Sequence, residues 1–81
     1  MEDIRQERKE IIKRINYVTG QLQGIRKMIE ENRNCLEVVQ QLKASKSGVE
    51  NIIAIMAHSE ICQSHLSEEE LKKVIKIISS S

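Results

Sequence analysis

Apolar residues fall along this chain in two long helix-spaced seams and one short one. Ile11, Ile15, Val18, Leu22, Ile25 and Ile29 are separated by four and three positions in turn, the spacing that keeps one stripe of an α-helix facing a partner. It predicts a first helix over residues 4–32. Cys35, Val39, Leu42, Lys46, Val49, Ile53 and Met56 keep the same alternation, and Val38, Ile52 and Ile55 widen this second seam into a core-facing stripe. Lys46 is the one charge on that line. The second helix is expected to run on to about His65. Asn34 followed by Glu37 has the form of a capping box, which makes Asn34 the expected N-cap and Cys35 the first helical residue. Ser67 and Glu70 repeat the box, with Leu66 and Leu71 placed for a hydrophobic staple. They open a short third helix with Leu71, Val74, Ile75 and Ile78 as its apolar face. Gly48, in the middle of the second helix, weakens propensity by about 1 kcal/mol relative to alanine but lets another backbone come close.

The expected fold class is therefore all-α, with three helices per chain, two long and one short, in a single domain over residues 1–81. Tyr17 is the one aromatic residue, and there is no Pro. Two seams this long, built from side chains of moderate size, exceed what a three-helix monomer hides, so a dimer or higher assembly is expected. No catalytic Ser/His/Asp arrangement, P-loop or Gly-rich dinucleotide motif appears, which argues against an enzyme. A helix-turn-helix, which needs two short helices joined by a tight turn, is also not apparent.

Charge adds a surface. The net charge of +1 argues against a uniformly basic coat, but no acid lies between Lys13 and Lys27, and Lys43 and Lys46 meet none until Glu50. Such patches suit phosphates if the fold gathers them, and they equally suit a solvated helix face. The N-terminal residues are charged throughout with no apolar run, unlike a signal peptide, and no stretch is long and apolar enough for a membrane span. A soluble cytoplasmic protein is expected, in which the two cysteines are more readily reduced thiols, metal ligands or redox sensors than a structural disulfide.

Cys35 carries the most pointed chemistry. Unpaired N–H groups and the positive end of a helix dipole lie at its expected position, and the thiolate is the form of cysteine that binds metals; a small buried residue at a helix start is the plainer alternative. His58 and Cys62, four apart, share a helix face as a workable pair of metal ligands, with His65 partly on that face; a solvated His beside a small buried Cys explains them as well. Cys35 and Cys62 are about 40 Å apart along one straight helix, so a site using both has to be intersubunit, between antiparallel copies. On an unbroken helix Cys62 lies about 180° from Cys35 in phase, whereas Glu60 lies within about 20° of it. Glu60 and Ser64 then face the Cys35 seam, and His58 and Cys62 do so only if the helix unwinds or shifts near its end.

Two segments, "RINYVTGQLQGIRKMIEENRNC" and "CLEVVQQLKASKSGVE", resemble the copper-sensitive operon repressor family (CsoR/RcnR), small all-helical bacterial repressors. The resemblance implies a dimer of antiparallel helix pairs assembled into a disc-like homotetramer. It implies operator DNA as a partner and release when an inducer occupies a Cys-centred intersubunit site. Cys35 matches the inducer cysteine. Arg14 and Gln21 match the DNA-binding face of helix one, and Lys43 and Lys46 fall where helix two adds basic residues to it. In copper-sensing members a His and a Cys follow the cysteine by 25 and 29 residues, positions held here by Glu60 and Ser64; a two-residue slip would bring His58 and Cys62 there instead. Persulfide-sensing members keep a Cys at the second offset, and aldehyde-sensing members an N-terminal Pro where this chain has Glu2.

The expectation is a DNA-binding transcriptional repressor relieved by a metal ion, Cu(I) foremost, at Cys35, His58 and Cys62. A thiol-redox or persulfide-sensing repressor using the same cysteine is the alternative. A helical adaptor without DNA binding is the remote one.

Overall fold

The computed structural model describes residues 4–80; Glu2 lies outside them. Those residues form an all-helical structure without strands: α1 (Ile4–Glu30), α2 (Cys35–His58), α3 (Glu60–Gln63) and α4 (Glu68–Ser79). Helices α1 and α2 make an antiparallel hairpin, α3 is a single turn touching both, and α4 lies against α2.

Local chemistry explains each boundary. Helix α1 ends in a Schellman motif: Asn32 takes a left-handed backbone (φ 56°), its N–H donates to Ile29 O at 3.1 Å and the Arg33 N–H to Met28 O at 2.9 Å. Asparagine tolerates that backbone better than most residues, and the motif satisfies two carbonyls the helix end leaves open. Asn34 caps α2 as the spacing predicts, its Oδ1 accepting from the Leu36 N–H at 2.8 Å. The capping box itself is not made: Asn34 bonds the second helical N–H and not that of Glu37, and Glu37 turns to Arg33, whose Nη2 lies 3.3 Å from Glu37 Oε2. At α4 the box is complete: Ser67 Oγ accepts from Glu70 N at 3.2 Å and Glu70 Oε1 accepts from Ser67 N at 3.1 Å.

The second helix stops earlier than expected. It ends at His58, where Ser59 is extended (φ −76°, ψ 158°), so residues up to 65 do not continue it and the described chain has four helices. Ser59 is buried, and its hydroxyl donates to Met56 O at 2.6 Å. A serine that bonds its own preceding turn offers the backbone an alternative to the helical ladder.

The hairpin uses part of each seam. On α1, Ile11, Val18 and Ile25 are buried, while Ile15, Leu22 and Ile29, on the neighbouring line, are exposed. On α2, Val38, Ser45 and Ala57 are buried and Ile52 half-buried, while Val39, Leu42, Val49 and Ile53 are exposed. Because the helices are antiparallel, the unused lines of both turn to the same side, giving one open apolar face. A folded monomer of 9.3 kDa typically exposes about 5,000 Å²; this chain exposes 6726 Å².

The helices pack closely at Gly48, where an added Cβ would stand 3.0 Å from Val18 Cγ2. Three residues along each helix from that point, Ser45 Oγ donates to Gln21 Oε1 at 3.3 Å. Val18 is buried and β-branched, so it has little freedom to move aside. Gly48→Val should lower stability by about 1–3 kcal/mol despite removing a helical glycine, since it forces methyl groups into that contact. Urea unfolding followed by circular dichroism measures it, and an unchanged midpoint would contradict the close approach.

Candidate functional site

The two cysteines are free and sit at opposite ends of the hairpin. Cys35 is the first residue of α2 and exposed. It heads the line Cys35, Leu42, Val49 and Met56, so it opens onto the apolar face. Cys62 is half-buried in α3. His58, the last residue of α2, is exposed and about 35 Å from Cys35 by helical rise. Among the described residues, no three His, Cys, Asp or Glu side chains come together in a way that could hold a metal ion. A metal site drawing on Cys35 and the 58–64 stretch therefore needs two copies of the chain.

The break at Ser59 alters the phase argument. Glu60, Cys62 and Ser64 lie beyond an extended residue, so their directions relative to Cys35 no longer follow from counting 100° per residue along α2. The break frees Cys62 from that phase, while His58, the last residue of α2, keeps it. Ser64 donates to Glu60 O, and Gln63 Nε2 reaches back to Ala57 O at 3.1 Å. His65 lies in the turn after α3 and is exposed.

One residue that spacing did not single out holds this stretch. Glu7, on α1, accepts from the backbone N–H of Glu60 through both carboxylate oxygens, at 3.1 and 3.3 Å. It lines an open groove of about 440 Å³ together with Glu10, His58 and Ser59. A signal was available, since Glu7 continues the helix-spaced line Ile4, Glu7, Ile11 as a charge among apolar residues. Its partner 53 positions away was not readable.

The basic residues divide into two sets. Arg14 and Gln21 follow Glu7 at seven-residue steps on α1, all half-buried along the edge of the contact with α2. Gln21 takes the Ser45 hydroxyl bond, and Arg14 Nε lies 3.3 Å from Glu10 Oε1 without the alignment of a hydrogen bond. Arg14 also borders a shallow groove with Lys13, Tyr17 and Asn51. Lys43 and Lys46 are exposed on α2, and Lys46 stands between Val39 and Ile53 on the open apolar face. The fold thus brings Arg14 and Gln21 onto one line and leaves Lys46 on another.

Residues 7–80 match the family of metal-sensitive transcriptional repressors, and the chain belongs to that family, whose members are repressors and not enzymes. It is similar to the copper-sensing transcriptional repressor RicR of Mycobacterium tuberculosis (strain ATCC 25618 / H37Rv), with 36% identity over 47 residues, 58% of this chain and 49% of that protein. The match spans about half the length of that relative. No solved structure matches the chain. No helix among the described residues is long and apolar enough to cross a membrane.

The exposure difference between the two thiols has a direct readout. In the metal-free protein, iodoacetamide should modify Cys35 at least about threefold faster than Cys62 at neutral pH, because access limits a half-buried thiol. Peptide-resolved mass spectrometry measures both in one sample; equal or inverted rates would contradict the placement.

Proposed function

We propose that this protein is a DNA-binding transcriptional repressor whose hold on its operator is relieved when a metal ion, Cu(I), is captured between two copies of the chain. Its membership of the metal-sensitive repressor family carries this reading, and similarity to a copper-sensing repressor favours copper. The donors are Cys35 of one copy with His58 and Cys62 of another, and Glu60 and Ser64 are the competing set. Two thiolates and an imidazole suit Cu(I), a soft ion. Arg14, Gln21 and Lys43 contact DNA, chiefly through its phosphates; Lys46, expected among them, stands on the face that packs two copies together.

The open face supports the assembly. Its positions on α2 are symmetric about a point between Ser47 and Gly48: Val39 mirrors Met56, Leu42 mirrors Ile53, and Lys46 mirrors Val49. Two antiparallel copies of α2 packed on this face would set Lys46 beside Val49 at the centre and pair apolar with apolar at the next two layers. One step further out, Cys35 mirrors Glu60, with His58 and Cys62 two residues to either side. Such dimers pair again into a homotetramer. Ile53→Asp should shift the protein to monomer in sedimentation at micromolar concentration, because it places an unpaired charge in that seam. Wild-type protein that is itself monomeric there would overturn the assembly and the shared site together.

Differential affinity is the mechanism: Cu(I) acts only in so far as it binds the DNA-releasing arrangement more tightly than the DNA-holding one. Operator binding should weaken steeply with salt, and Arg14→Ala or Lys43→Ala should reduce the slope by about one phosphate contact each. Cys35→Ser should still bind the operator fragment but no longer leave it when Cu(I) is added anaerobically. Loss of response in Cys62→Ser selects the His58/Cys62 set, and loss in Glu60→Ala the other. Release of Cys35→Ser by Cu(I) as in wild type would remove the cysteine from sensing. Release by a persulfide donor and not by Cu(I) would favour a thiol-redox repressor.

A further inference from the structure

We infer that Glu7 is the positioning residue of the 60–64 segment, the link by which helix α1 sets where Glu60, Cys62 and Ser64 stand. Ser59 is the N-cap of α3, yet its side chain makes no capping bond there; its hydroxyl turns back to Met56 O at 2.6 Å. The Glu60 N–H is the first of the donors that a helix start leaves open, and its acceptor has to come from outside α3. Glu7 supplies it from another helix, both oxygens within 3.3 Å, and a charged acceptor makes the bond stronger than a neutral one. The break at Ser59 frees the segment from the direction of α2, and the Glu7 carboxylate gives it a direction taken from α1.

Glu7 also shares one line of α1 with Arg14 and Gln21, at seven-residue steps. A helix transmits a displacement along its length, so a movement of the 60–64 segment that pulls on Glu7 bears on the helix carrying Arg14, about 10 Å further along. This consequence for operator release rests on the function proposed above. The positioning role itself does not.

The test uses the full chain with Glu7→Ala, Glu7→Asp and Glu7→Gln. Glutamine keeps an acceptor oxygen at the same reach, aspartate withdraws the carboxylate by one methylene, and alanine removes it. The first readout is the iodoacetamide rate at Cys62 divided by that at Cys35 in the same metal-free sample. It should rise at least about threefold in Glu7→Ala and Glu7→Asp as the segment opens locally, and stay within about twofold of wild type in Glu7→Gln. The second is the loss of operator affinity caused by Cu(I), which should shrink at least about fivefold in Glu7→Ala, within the usual range of coupling, and be largely kept in Glu7→Gln. If Glu7→Ala does not fold, Glu7→Asp against Glu7→Gln decides. An unchanged Cys62 ratio in the alanine and aspartate variants overturns the inference, as does a glutamine variant that behaves like alanine. If wild-type protein is not released by Cu(I), the proposed inducer fails while the Cys62 ratio still decides the role of Glu7.

Discussion

Each long helix carries an apolar stripe wider than one partner helix covers, and most of the structure's consequences descend from that mismatch. The hairpin closes over Ile11, Val18 and Ile25 on one side and Val38, Ser45 and Ile52 on the other, with Gly48 removing the side chain that would hold the helices apart. Burial of the remaining lines would need more chain, and among the described residues the remaining long element is α4. That helix lies against α2 and keeps Ile75 and Ile77 largely exposed itself. Apolar area left in water is free energy forgone, on the order of 25 cal/mol for each Å². A second copy is the simplest way to recover it, and its own open face is of matching kind.

Much of this architecture was legible in the sequence because it is written in local or periodic chemistry. The 4–3 alternation gave both long helices, Asn34 and Ser67 gave two helix starts, and Gly48 gave the close approach. What periodicity could not do was divide a stripe between intrachain and open lines. Ile15 and Val18 are equally apolar and equally well spaced, and only the direction of the neighbouring helix decides which is buried. The lysine on the second seam was the partial exception: Lys46 lies on an open line, and a charge is tolerated there.

The candidate site was less legible, for a physical reason. The segment "AHSEICQSH" contains no Gly or Pro, and each residue in it is compatible with a helix. What stops α2 is a combination: a serine hydroxyl turned back on Met56 O, a buried position for Ser59, and an acceptor for the next N–H delivered from Glu7, far away in sequence. Tertiary partners of this sort leave no local mark. At Glu37 the competitor is local instead, a bond to Arg33 four residues back that displaces its expected capping role.

The break matters for how a metal could act through this fold. In a continuous helix, the donors beyond residue 58 would point wherever α2 pointed them, and in the proposed assembly α2 is also the helix whose open line faces a second copy. Sensing and assembly would then share one rigid element, so a ligand could reorient its donors only by disturbing the seam that holds the copies together. With Ser59 extended, residues 60–64 form a separate turn, tied to α1 by the Glu60 N–H on Glu7 and to the end of α2 by Gln63 Nε2 on Ala57 O. In the proposed arrangement, a metal drawing that turn towards Cys35 of another copy pulls on the helix that carries Arg14 and Gln21 as well as on the end of α2. The seam of α2 can stay closed while it does so, and the free energy of capture is then available to change the DNA-contacting helix instead of being spent on the interface.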